Sequence, residues 1–176
     1  MATESPYEAK TSYTTIDSPL GELLLVGEVS DGRTTLTSLS LPGQRNAPAV
    51  RAEWRRDPAA FARIAEQVAA YFAGRLTAFD IEFTASGSDF QRRVWQALET
   101  IPFGTSTTYG RLTERLGLER GRAQAVGAAI GANPLLLVRP CHRVIGADGS
   151  MRGYAGGVEA KVHLLTHEGV LQPTLA

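Results

Sequence analysis

Two prolines, Pro134 and Pro140, enclose the apolar run Leu135-Leu136-Leu137-Val138, and the only cysteine of the chain, Cys141, follows directly, with His142, Arg143 and Val144 behind it. Proline fixes its own φ and biases the residue before it toward an extended conformation. The run therefore reads as a buried extended segment that delivers the thiol at its end, with Gly146-Ala147-Asp148-Gly149 as a turn beyond it. Neighbours in an extended strand point to opposite faces, so direct contact between Cys141 and His142 would need a turn or a bridging water. A lone thiol in this setting is either a buried structural cysteine or a nucleophile. Free cysteine is among the most buried residue types. An imidazole, a helix N-terminus or a basic side chain can instead pull its pKa below the ordinary value of about 8.5.

The rest of the 176-residue chain reads as two small domains. Leu20–Gly27 and Thr34–Leu41 are expected as a hairpin across Ser30-Asp31-Gly32. A helix over Pro58–Ala73 has Asp57 as N-cap, Pro58 at its first position and Gly74 as its stop. Phe79, Ile81 and Phe83 alternate with acids, as in a strand buried on one face. Thr84-Ala85-Ser86-Gly87 reads as the linker. Beyond it Ser88 and Gln91 form a capping box, opening a helix with Phe90, Val94, Trp95 and Leu98 on one face. Tyr109–Leu116 and Ala123–Gly131 are two short helices across a glycine-containing turn, a helix-turn-helix pattern. Val158, Val162 and Leu165 mark a final helix.

Net charge is zero, which argues against holding nucleic acid by bulk electrostatics. The distribution is uneven: residues 1–88 carry 8 Lys+Arg against 11 Asp+Glu, and residues 89–176 carry 10 against 7, so the half with the thiol is the basic half. One cysteine excludes an internal disulfide, no stretch approaches the roughly 20 apolar residues of a membrane helix, and Met1–Lys10 lacks the features of a signal peptide. These readings place the protein in a reducing, cytoplasmic compartment, away from membranes.

Asn133-Pro134 followed by Pro140-Cys141-His142-Arg143-Val144 resembles the active-site signature of the O6-alkylguanine-DNA alkyltransferases. The resemblance extends through Ile101-Pro102-Phe103-Gly104, Tyr109-Gly110, Ala125-Val126-Gly127, Gly153-Tyr154-Ala155-Gly156-Gly157 and His167-Glu168-Gly169. It is strong from Ser88 to Val170. Between Ile16 and Phe83 it is weaker, resting on Asp17-Ser18-Pro19-Leu20-Gly21 and Tyr71-Phe72-Ala73-Gly74. It implies an α+β architecture, with a small ribonuclease H-like α/β domain over 13–83 followed by a mainly helical winged-helix-like domain with the helix-turn-helix over 89–171; the residues themselves read as a disordered N-terminus over 1–12, a linker over 84–88 and a tail over 172–176.

The implied activity is the stoichiometric transfer of an alkyl group from O6 of guanine, and from O4 of thymine, to the protein's own cysteine after base flipping. The implied partner is double-stranded DNA containing O6-alkylguanine, met by a protein expected to be a monomer in solution, with cooperative binding on DNA left open, and without a cofactor. By resemblance Cys141 is the nucleophile, His142 its base through a water, Glu168 the acid that orients His142, Tyr109 the proton donor to the leaving guanine, and Asn133 the hinge before the thiol. Gly110, Ala123, Gln124, Ala125 and Gly127 would lie against DNA, with the second helix of the pair in the minor groove, and Arg143 is a further DNA contact. Main-chain groups of Cys141, Val144, Tyr154 and Ala155 would meet the flipped base. Gln124 departs from the arginine usual in the family, which fills the gap left by that base, so weaker duplex binding or slower flipping is expected unless Arg122 substitutes. Ala155 stands where some relatives have serine. His163 and His167 lie four apart but lack a third metal ligand, and without Cys or His before Cys141 the chain cannot build the N-terminal zinc site of some relatives. The alternative is a lesion sensor that flips the base without repair; such proteins usually carry tryptophan at the thiol position. A cysteine hydrolase would leave the helix pair unexplained.

Overall fold

The computed structural model describes residues 10–172, which divide into two units. The first runs to Pro42 and resumes over Ala47–Ala85; the second takes Gly43–Asn46 together with the chain from Ser86 onward. The boundary at Ala85 falls within the expected linker. The short Gly43–Asn46 loop, expected in the N-terminal domain, belongs with the second unit, where Asn46 Nδ2 donates to the Gly131 carbonyl at 3.2 Å.

In the first unit, β1 (Lys10–Ser18), β2 (Gly21–Ser30), β3 (Arg33–Ser40) and β4 (Arg55–Arg56) form one sheet in the order β3-β2-β1-β4. β1–β2 and β2–β3 are antiparallel, and β4 runs parallel to β1. The β2–β3 turn places Asp31 at φ 50° and Gly32 at φ 72°. Two successive left-handed residues match the twist of the flanking strands, which is why Asp-Gly marks this hairpin in the sequence. Lys10–Ser12, expected within a disordered N-terminus, are instead the start of β1; residues 1–9 of that expectation lie outside the described residues. The strand escapes a hydrophobic-pattern reading because its inward positions include Ser12 and Thr14, 1% and 3% exposed.

Asp57 accepts from Ala60 N at 3.3 Å and caps a 3-10 turn, Pro58–Phe61, that leads into α1 (Ala62–Phe72). Phe61, Ile64, Val68 and Tyr71 join Leu23, Leu25, Leu36 and Leu39 in the core of this unit. Phe79, Ile81 and Phe83 keep their alternation in burial but form no strand. Phe83 makes one parallel bridge to Leu36, through Leu36 N to Glu82 O at 2.9 Å and Thr84 N to Leu36 O at 3.0 Å.

The second unit is mainly helical. α2 (Asp89–Leu98) opens with the expected reciprocal cap: Gln91 N donates to Ser88 Oγ at 3.1 Å, and Ser88 N donates to Gln91 Oε1 at 3.0 Å. Val94, Trp95 and Leu98 are buried, and Trp95 Nε1 donates to the Ala129 carbonyl at 2.8 Å, tying α2 to α4. β5 (Thr107–Thr108) leads into α3 (Tyr109–Arg115), and a 3-10 turn over Arg120–Arg122 leads into α4 (Ala123–Gly131). A 3-10 turn over Cys141–Arg143 passes to β6 (Val144–Ile145), parallel to β5, and α5 (Val158–His167) follows.

Two expectations change here. Leu135–Val138 is buried but not extended. Leu137 sits at φ 69°, and the run coils through Val138 N to Leu136 O at 2.8 Å and Arg139 N to Leu135 O at 3.0 Å. A short apolar run reports burial, not conformation. On α5, Val158 and Val162 are 50% and 38% exposed, and the inward face is Lys161, Leu164 and Leu165. No helix among the described residues is long and apolar enough to cross a membrane.

Candidate active site

Cys141 lies at the start of its 3-10 turn, placed there by a tight reversal in which Cys141 N donates to Arg139 O at 2.8 Å around Pro140. The thiol is 4% exposed. Asn133, fully buried after α4, holds the approach to it: Nδ2 donates to the Leu135 and Arg139 carbonyls at 3.3 and 3.2 Å, and Oδ1 accepts from Leu135 N at 3.0 Å and the Arg139 guanidinium at 3.2 Å. Asn133 is thus an amide that satisfies main-chain groups left over by the coil.

His142 and Glu168 are fully buried side chains joined by Nε2 to Oε2 at 2.8 Å. Arg143 shares that carboxylate, with Nε at 2.7 Å from Oε1 and a terminal nitrogen at 3.0 Å from Oε2, and it also donates to the Ile101 carbonyl at 2.6 Å. Expected as a DNA contact, Arg143 is therefore a buried ion-pair partner, 7% exposed. Its bidentate fork matches a carboxylate rather than remaining available for phosphate. His142 Nδ1 is buried and has no hydrogen-bond partner among the protein atoms described.

Sequence reasoning missed Lys161. Hidden on α5 behind an apparently apolar pattern, it is fully buried, and its Nζ donates to the Val144 carbonyl at 2.6 Å and lies 5.9 Å from the Tyr109 ring centroid. The Val144 carbonyl, expected to meet the base, here accepts from the Lys161 ammonium. Burial pulls the Lys161 ammonium down to about 8, with the adjacent Cys141 working in the opposite sense. A lysine amid Val158, Val162 and Leu165 was the available signal, since a helical lysine in register with Leu164 and Leu165 faces the core.

Burial and neighbouring charge pull the thiol in opposite directions. Burial pushes the Cys141 thiol up to about 11, outweighing the Asn133 amide, Lys161, the Cys141 main chain and Arg139, all of which favour thiolate. Desolvation wins here over neighbouring charge. His142 is moved below its ordinary value, again by burial first, against the opposing pull of Glu168. It is therefore neutral at pH 7 and able to accept a proton. Tyr109 is moved up by burial and by Cys141, which keeps its phenol protonated.

Tyr109 opens α3, and its hydroxyl donates to the Arg152 carbonyl at 3.3 Å. Gly153, at φ 89°, leaves it room: a Cβ there would stand 3.0 Å from the phenol oxygen. Tyr154 and Ala155, next in the loop before α5, are buried, and the Tyr154 ring meets that of His142 edge-on at 6.4 Å. On α4, Val126, Ala129 and Ile130 point inward. Gln124 and Ala128 are exposed, with Ala123, Ala125, Gly127 and Gly131 half-buried, so the outer face carries almost no side-chain bulk; Gly110, on α3, is half-buried. A Cβ on Gly127 would lie 3.8 Å from the Tyr109 ring, which puts this small-residue helix next to the tyrosine.

The chain matches the ribonuclease-like domain of 6-O-methylguanine DNA methyltransferase over residues 11–85 and the DNA-binding domain of the same family over residues 89–170. It is 50% identical over 156 residues to a methylated-DNA–protein-cysteine methyltransferase of Mycolicibacterium paratuberculosis, covering 89% of this chain and 91% of that protein. The crystal structure of the Mycobacterium tuberculosis O6-methylguanine methyltransferase superposes with a TM-score of 0.81 at 46% identity, covering 93% and 95% of the two chains. A second M. tuberculosis structure, of OGT in complex with DNA, gives 0.79 at 45% identity over 90% and 94%. By sequence and fold, the chain belongs to the 6-O-methylguanine DNA methyltransferase family.

Proposed function

We propose that this chain repairs DNA directly, taking an alkyl group from O6 of guanine onto Cys141, once per molecule. The observation that carries the reading is the buried Cys141, His142 and Glu168 set, in which Glu168 engages Nε2 of His142 and leaves Nδ1 as an acceptor. A buried ring nitrogen is costly without a partner. A water between Nδ1 and the thiol would satisfy it and give the thiol proton a path to His142, in the nucleophile, base and orienter pattern.

The Cys141 thiolate then attacks the alkyl carbon in line with the guanine oxygen. The S–C bond forms as the C–O6 bond breaks, and the electron pair moves into the guanine ring. The Tyr109 hydroxyl supplies the proton the guanine needs; the resulting tyrosinate then regains a proton through solvent while the His142 imidazolium gives one up, so the net change is one proton from thiol to guanine and one alkyl group from guanine to thiol. Reaching the lesion requires the nucleotide to leave the stack, and the low-bulk face of α4, with Gln124, Gly127 and Ala128, suits a narrow groove. Tyr154 and Ala155 offer main-chain groups to the flipped base, and O4 of thymine presents a similar target. In this reading the protein acts as a monomer on double-stranded DNA in the cytoplasm and needs no cofactor.

Incubation with a duplex containing one O6-methylguanine, followed by intact mass, tests the proposal. A single added methyl on the Cys141 peptide, absent in Cys141→Ala, supports it. An unmodified protein, or one that turns over repeatedly, overturns it.

A further inference from the structure

We infer that Arg139 is a positioning residue for alkyl transfer: its buried guanidinium fixes the orientation of the Asn133 amide and sets positive charge beside Cys141, with Glu99 as the moderating counter-charge. The inference rests on the reading of Cys141 as nucleophile.

Arg139 sits in an otherwise apolar stretch, between Val138 and Pro140, and is 6% exposed. A buried charge is costly unless it is paired, so its placement asks for a reason. The guanidinium lies 4.9 Å from the Trp95 ring centroid, and its Nε is 3.8 Å from Glu99 Oε2, a loose pair whose carboxylate is one-third exposed. It donates to Asn133 Oδ1 at 3.2 Å, and Asn133 answers by donating to the Arg139 carbonyl at 3.2 Å. That carbonyl also accepts Cys141 N at 2.8 Å, so one residue ties the amide and the thiol's own backbone together.

The consequence is directional. An asparagine amide can turn end for end, but here Oδ1 faces two groups that only donate, the guanidinium and Leu135 N. The turned amide would set its NH2 against both. The Nδ2 end is therefore held on the side of Cys141, where it favours the anion. The groups acting on the thiol are Asn133 and Arg139 on its own approach, Lys161 from α5 and Tyr109 from α3, with the His142–Glu168–Arg143 set next to it. Of these, Arg139 is opposed by a carboxylate, Glu99 at the end of α2, that can be removed without touching the site.

Cys141 is the only cysteine, so its reaction with iodoacetamide, followed by intact mass between pH 6.5 and 9.5, reads thiolate availability without DNA. Arg139→Leu is expected to react about tenfold more slowly at pH 8, Arg139→Lys between it and wild type, and Glu99→Gln several-fold faster than wild type, opposite signs that a purely structural role would not give. On a methylated duplex, the single-turnover rate should follow the same order while DNA affinity stays within twofold. Arg139→Leu reacting like wild type, or Glu99→Gln reacting no faster, overturns the inference. The second comparison decides it even where Arg139→Leu fails to fold, and neither result bears on whether the wild type accepts a methyl group.

Discussion

Nε2 of His142 stands 2.8 Å from Oε2 of Glu168, and the same carboxylate holds Arg143, so one buried anion serves a permanent cation and a neutral imidazole. Arginine keeps its charge in proteins, and the Glu168–Arg143 pair is neutral in sum. That leaves the imidazole free to be uncharged, in line with its lowered pKa. Glu168→Gln breaks this balance by leaving Arg143 buried without a counter-charge. Loss of one partner of a buried pair costs about 3–5 kcal/mol. The expected outcome is a clear drop in the urea midpoint together with at least a hundredfold slower methyl transfer, whereas unchanged stability would show that Arg143 finds another partner.

Because burial lowers the His142 pKa below its ordinary 6.5, the unfolded chain binds more protons than the folded one as pH falls through that value. Stability then rises with pH across this window and is lost toward acid. Unfolding free energies at pH 7.5 and 5.0 should show wild type losing more than His142→Gln. Equal losses in the two proteins would assign the acid lability to other groups.

The hairpin, the two capped helices and the helix pair are legible in the sequence because each is written in local chemistry. Asp31-Gly32 demands a left-handed turn, Ser88 and Gln91 cap each other, and Asp57-Pro58 starts a helix. Cys141, His142, Glu168, Tyr109 and Asn133 are picked out in the sequence only by the family resemblance of the motifs that hold them. What escaped was set by long-range packing. β1 buries Ser12 and Thr14, which carry no apolar signature, and Leu135–Val138 is buried whatever its conformation. Arg143 reads as a surface cation until a carboxylate 25 positions away is folded onto it. Lys161 was missed for the same reason, since nothing local announces that a lysine will reach the Val144 carbonyl.

For Lys161, whose ammonium is brought down to about 8 from its ordinary 10.5, the unfolded state binds more protons between those values, so this residue makes stability rise with pH over that window. Cys141, raised to about 11, works in the opposite direction over an overlapping range. The comparison must therefore be made between proteins. Lys161→Met should be stabilised relative to wild type at pH 7, where wild type buries a charge, and the advantage should shrink by pH 10. It should also transfer methyl about tenfold more slowly, because a group favouring thiolate has gone. A rate equal to wild type would remove Lys161 from the electrostatics of the thiol.

Gln124 is exposed near the start of α4, on the face shared with Gly127 and Ala128, and Arg122 cannot simply stand in for a longer side chain there, because its guanidinium is held 5.4 Å from the Phe90 ring centroid. A glutamine at this place can hydrogen-bond a base edge but brings no charge to the phosphates. Gln124→Arg adds a cation to an exposed turn, at a cost of about 0.3–1 kcal/mol from the positive end of the helix. The gain on DNA is larger: one further cation should tighten duplex binding about tenfold at low salt and steepen the salt dependence by about one phosphate contact. Fluorescence anisotropy across a salt series, with Cys141→Ala in both proteins to prevent turnover, measures the two together. If flipping limits repair, the single-turnover rate of the variant rises as well. An affinity gain without a rate gain would place the limiting step at sulfur, in the burial that holds the Cys141 thiol near 11.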